Sequence, residues 1–156
     1  MKPKVYIETS IPSYLTAWRS RDIVIAGNQE TTKELWGRRD DFELFISIFV
    51  LEEVSAGDAK AAKLRLATLE NIPEIEITEK VEAIAERLLS QALLPEKAKL
   101  DALHIATATI GGMDYLLTWN CAHIANPSLR VKIESVIRSF GYEPPIICTP
   151  LELLEV

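Results

Sequence analysis

The amino-acid sequence predicts an α/β fold with a central, mainly parallel sheet and helices on both of its faces. Three observations carry that prediction. Short runs rich in β-branched and aromatic residues recur along the chain, helix-length segments separate them, and 48% hydrophobic residues in 156 supply a core of ordinary size. Strands alternating with helices at this spacing are the pattern of βαβ units, whose crossovers cover a parallel sheet. No linker, repeat or low-complexity tract interrupts the sequence, so residues 1–156 are read as one domain.

The strand-like runs are residues 5–7, 42–48, 75–77, 115–119 and 146–149. Residues 79–94 place apolar side chains at 81, 84, 85, 88, 89 and 92, the stripe of an amphipathic helix, with Thr78 as N-cap and Pro95 as the stop. Residues 99–110 are apolar or small nearly all round except Asp101 and His104, which predicts a helix covered on most sides and ended by Gly111-Gly112. Residues 59–69 and 128–140 read as two further amphipathic helices, and residues 31–36 as a shorter one. Ile23 to Ala26 are read as core, although Trp18, Trp36 and the apolar residues between them also suit a dimer or partner groove.

Lys and Arg number 17 against 23 Asp and Glu, a net charge of −6. That balance excludes a protein that holds nucleic acid by bulk positive charge. A polyanion would need local basic groups or bound metal ions. Cys121 and Cys148 form no metal-binding spacing and are read as free thiols of a reducing compartment. The apolar run after the basic N-terminus is too short for a signal peptide, and nothing approaches the roughly 20 apolar residues of a membrane span. A cytoplasmic protein without membrane contact is expected.

Ligands of a parallel sheet gather outside the carboxyl ends of its strands, and four polar positions fall there or nearby. Glu8 follows the first strand, beside Thr9 and Ser10; it is either the first solvated residue or a carboxylate held by hydroxyls. Glu52 and Glu53 follow the second run and are read at a helix start, where the dipole alone would favour them. Asp101 opens the apolar helix three residues before His104, on the same face, and an unpaired carboxylate is costly there. His104 by itself reads as a satisfied core histidine. Asn120 ends the run 115–119 and either makes a turn or hydrogen-bonds a metal-bound water; His123 is similarly ambiguous. If these acids converge they repel one another, and hard divalent ions with oxygen ligands would relieve the repulsion. Two such ions would also activate a water and stabilise the leaving oxygen in phosphodiester cleavage.

In these places the sequence resembles the PIN-domain ribonucleases, and specifically the VapC-like toxins of toxin–antitoxin pairs. Val5-Tyr6-Ile7-Glu8-Thr9-Ser10 resembles the family's opening motif and Glu53-Val54-Ser55-Ala56-Gly57 its second, a register that selects Glu53 over Glu52. Leu100-Asp101-Ala102-Leu103-His104-Ile105-Ala106 is similar to the third motif and residues 117–126 to the fourth. Glu8 stands where Asp is commoner, and Asn120 where many members carry a fourth acid.

The resemblance implies a three-layer α/β/α sandwich and Mg²⁺- or Mn²⁺-dependent cleavage of RNA. It also implies a small antitoxin partner and a homodimer. It assigns Glu8, Glu53 and Asp101 to the metal, and Asn120 to a catalytic water, with Thr9, Ser10 and Thr118 as supporting hydrogen-bonders. Arg19, Arg21, Lys33, Arg38, Arg39, Lys97 and Lys99 are the basic groups available to an RNA backbone. The competing expectation is a catalytically silent module of the same fold that binds RNA or a protein. A phosphatase with an Asp nucleophile is disfavoured, since it wants D-x-D where the chain has Glu8 and Ser10.

Overall fold

A computed structural model describes residues 1–91, 95 and 98–156. The elements run β1 (Lys4–Ile7), α1 (Ser10–Thr16), α2 (Ile23–Gly37), a 3₁₀ turn (Arg39–Asp41), β2 (Glu43–Phe45), α3 (Ile48–Val54), α4 (Ala59–Thr68), α5 (Glu79–Gln91), α6 (Lys99–Ile110), β3 (Tyr115–Leu117), α7 (Pro127–Ser139), β4 (Ile146–Cys148) and α8 (Pro150–Leu153). The strands form a parallel sheet in the order β2-β1-β3-β4. Tyr6 lies between Phe45 and Leu116, and Leu117 faces Cys148. Helices α5, α6 and α7 pack together, as do α1, α2 and α8, giving the predicted three-layer α/β/α arrangement.

Burial follows the sequence pattern closely in the elements that position the site. Val5, Tyr6 and Ile7 are fully buried, as a strand covered on both faces requires. The predicted stripe of α5 buries Val81, Ile84, Ala85 and Leu88. In α6, seven of twelve residues are buried, His104 among them, and the alanines there allow close packing against α5. The turn after α6 requires Gly112, whose φ of +69° is costly for a residue with a Cβ. Cys121 and Cys148 are free, and burial pushes the Cys148 thiol up to about 12, which keeps it protonated and inert.

Several expectations are corrected. Residues 75–77 form no strand. Ile46 bridges Glu74 alone, by bonds to the Pro73 carbonyl and from the Ile75 N–H, and Pro73 has no N–H with which to extend a ladder. The run 42–48 contributes only Glu43–Phe45 to the sheet, because Ile48 already begins α3. Glu52 and Glu53 therefore lie in the last turns of α3 and not at a helix start. The helix read at 31–36 extends back to Ile23, capped by Asp22, whose Oδ1 accepts from Val24 N at 2.9 Å and Ile25 N at 3.2 Å. The β-branched run and Gly27 hid that first half, since both lower helix propensity. Ile23 and Val24, expected in the core, are 86% and 67% exposed, and only Ala26 of that group is buried. Residues 92–94 of the helix expected at 79–94, and Lys97, lie outside the described residues.

Candidate active site

The first acid is held by the loop that ends β1. Glu8 N donates to the Leu117 carbonyl at 3.2 Å, which continues the sheet pairing and fixes the backbone where the side chain departs. The carboxylate is buried, with the residue 5% exposed. Its Oε1 accepts from Ser10 N at 3.1 Å, Ser10 Oγ at 2.5 Å and Thr118 Oγ1 at 2.6 Å. Three donors on one oxygen compensate much of the desolvation of the charge. They come from both sides of the gap between β1 and β3, so the two strand ends are joined through this carboxylate. Oε2 has no hydrogen-bond partner among the described residues.

Glu53 arrives from the opposite direction. It sits near the C-terminal end of α3, where the helix dipole opposes a negative charge. Its position is held instead by Thr9 Oγ1 and His104 Nε2, each donating to Oε1 at 2.5 Å. Behind it, His104 Nδ1 lies 2.7 Å from the Tyr6 hydroxyl, which lies 2.7 Å from Ser47 Oγ. His104, Tyr6 and Ser47 are all fully buried. Burial, together with the charges of Glu8 and Glu53, raises the Tyr6 phenol far above its ordinary value, so it stays protonated and serves as a fixed polar link.

Burial also raises the Glu53 carboxyl, but the His104 hydrogen bond and charge and the Thr9 hydroxyl outweigh it, leaving the group below its ordinary 4.5. A carboxyl with a depressed folded-state value stabilises the fold above its unfolded value, and that contribution is lost as pH falls through the folded one. Thermal melts between pH 6 and 2.5 should therefore show wild type losing stability below about pH 4.5 more steeply than Glu53→Gln, whose position 53 no longer titrates. Parallel pH profiles for the two proteins would refute the assignment.

Asp101 occupies the first turn of α6. Its Oδ1 accepts from Asn120 Nδ2 at 3.1 Å, and its Oδ2 lies 2.9 Å from His123 Nδ1. Asn120 is fixed in turn, since its Oδ1 accepts from His123 N at 3.1 Å and its N–H donates to Thr118 Oγ1 at 2.9 Å. Thr118 thus links the Asp101–Asn120–His123 group to Glu8.

Of the four residues expected at the site, Glu8 and Glu53 come together directly, while Asp101 and Asn120 form a second group joined to the first through Thr118. Glu52 is exposed and takes no part. His104 joins the first group although its sequence position suggested only core packing. The one available signal was its i, i+3 spacing from Asp101 on an apolar helix. Tyr6 and Ser47 gave no separate signal.

Among the described residues, Glu8, Glu53 and His104 are the group whose ligand-type atoms all lie within 4.8 Å of one another. Two carboxylates that close, one deeply buried, suit a divalent cation, which would remove their mutual repulsion. Both His104 nitrogens are already engaged, so the histidine orients Glu53, and the Oε2 atoms of Glu8 and Glu53 are the oxygens left to face an ion. The donor chemistry fits.

The sheet is parallel, helices cover both of its faces, and an acidic group that can hold a metal sits at the end of β1. The family model of the PIN domain matches residues 5–120, and the chain belongs to that family. PIN domains are typically metal-dependent nucleases. No curated protein matches the chain. No helix among the described residues is long and apolar enough to cross a membrane.

Proposed function

We propose that the protein is a metal-dependent endoribonuclease of the VapC-like toxin type, using Mg²⁺ or Mn²⁺ to hydrolyse RNA phosphodiester bonds. The observation that carries this reading is the buried Glu8 carboxylate, tied through one oxygen to both strand ends while Glu53 stands beside it. A bound divalent ion would supply Lewis acidity and an activated water. The chain's own residues do the rest. Glu8 and Glu53 hold the ion, and Ser10, Thr118, Thr9 and His104 keep the two carboxylates from turning away. Asp101 completes the acidic edge, and Asn120 fixes Asp101 and orients a water at the phosphate. A small antitoxin covering this edge, a homodimer and a cytoplasmic setting belong to the same reading.

One observation favours a catalytically silent module instead: both Asp101 oxygens are occupied by Asn120 and His123, an amide and an imidazole in place of a metal-facing acid. Incubating labelled RNA with wild type and Asp101→Asn, with Mg²⁺, Mn²⁺ or chelator, separates the two. The nuclease reading expects cleavage that needs metal and falls by about tenfold or more in Asp101→Asn. RNA binding without cleavage by wild type would establish the silent module, and equal cleavage by both proteins would identify a contaminant.

A further inference from the structure

We propose that Trp18, Arg19 and Arg21 form a docking track for single-stranded RNA, continuous with the acidic centre along α1; the inference deepens the ribonuclease reading and rests on it for the identity of the strand. The helix starts inside the site, where Ser10 Oγ donates to Glu8 and accepts from Trp119 N at 2.8 Å. One turn later the Tyr14 ring stacks on that of Trp119, with centroids 5.7 Å apart and planes at 17°. Just beyond the helix comes Trp18, 96% exposed. Seven helical residues span about 10 Å, the length of about three stacked nucleotides at roughly 3.4 Å each.

The loop that presents Trp18 is held from beneath. Gln29, a buried amide on α2, accepts from Ser20 N at 2.9 Å and donates to the Trp18 carbonyl at 3.0 Å, which clamps the backbone on both sides of Arg19. Ordering the loop before binding removes that cost from the encounter. A large aromatic held out in water on a clamped loop serves no packing purpose within the chain.

The local charge matches a polyanion. Residues 9–21 contain no acid, in a chain with 23, and Asp22 is engaged in capping α2. The other basic candidates are partly committed. Lys33 pairs with Glu30, Arg38 with Asp41, and Arg39 lies over Trp36. Arg19 and Arg21 make no ion pair or side-chain hydrogen bond among the described residues. The neighbouring Ile23 and Val24 raise a second copy of the chain as the rival occupant. A two-fold contact there would bring these arginines toward their symmetry mates with no acid in the segment to compensate. Bases stacking on Trp18 with phosphates on the arginines leave no such conflict.

The test is binding of a fluorescently labelled ten-nucleotide oligo(U) in chelator, where no cleavage intervenes, followed by anisotropy across a salt series. Trp18→Ala should weaken binding roughly tenfold. The Arg19→Gln/Arg21→Gln double variant should flatten the salt dependence by about 1.4 in log–log slope, at ~0.7 per lost phosphate contact. No binding by wild type, or unchanged affinity and slope in both variants, overturns the track. So does loss of self-association in light scattering by Trp18→Ala with RNA affinity intact, which assigns the surface to a second copy. If binding depends on Trp18 but wild type never cleaves RNA with Mg²⁺ or Mn²⁺, the track stands and the ribonuclease reading alone fails.

Discussion

Glu8→Gln should reduce metal-dependent RNA cleavage at least about a hundredfold while the protein stays folded. The substitution keeps the shape of the side chain and an acceptor oxygen for Ser10 and Thr118, but it removes the charge that would hold the cation. Because the residue is buried, the neutral amide also avoids the desolvation penalty of the carboxylate, so the melting temperature of the metal-free protein should be unchanged or higher. Activity and stability therefore move in opposite directions, the pattern of a group retained for chemistry. Cleavage at the wild-type rate would remove Glu8 from the active site. A fall in both activity and stability would make it a structural residue.

The largest stability effect belongs to His104→Ala, which should destabilise the fold by about 3–5 kcal/mol in urea denaturation. The imidazole fills fully buried space against Tyr6 and Phe49 and bonds to both Tyr6 and Glu53. Its removal opens a cavity, leaves the Tyr6 hydroxyl with Ser47 alone, and strands Glu53 with Thr9 at the unfavourable end of α3. Tyr6→Phe is the graded comparison. It removes one hydroxyl without opening a cavity and should cost about 1–3 kcal/mol through the unpaired Ser47 and His104 atoms. A loss below 1 kcal/mol for His104→Ala would mean that the surroundings collapse onto the site and that the polar chain behind Glu53 contributes little.

The sequence made the sheet legible at β1, β3 and β4, which are short, mostly buried apolar runs next to turn residues. It made α5 and α6 legible because one carries a clean apolar stripe and the other is apolar nearly all round. It misled where local pattern and tertiary contact disagree. The run 75–77 has strand composition and packs on the core, but its only backbone pairing among the described residues is the isolated bridge between Ile46 and Glu74, and the first half of α2 is β-branched yet helical, with Asp22 as its cap. Within the site, Glu8 and Glu53 were legible as acids after strand-like runs. The role of His104 was not, because the atoms that give it meaning, Tyr6 Oη and Glu53 Oε1, lie 98 and 51 positions away in sequence. The exposure of Ile23 and Val24 was hidden for the same reason: hydropathy alone does not say which apolar residues another element will cover.

The hydrogen bond from Thr118 to Glu8 crosses 110 positions of sequence. The other donors to the Glu8 carboxylate come from Ser10, so a chain still being synthesised holds its first acid by two local bonds long before the third donor exists. Until β3 and Thr118 have been made and docked beside β1, the first acid lacks its clamp and the Asp101–Asn120 group lacks its link to it. A contact this distant cannot form before residue 118 has been made, and topologies built on such pairings fold slowly. On the proposed ribonuclease reading, the site is therefore incomplete throughout most of the chain's own translation and is assembled only when β3 has docked.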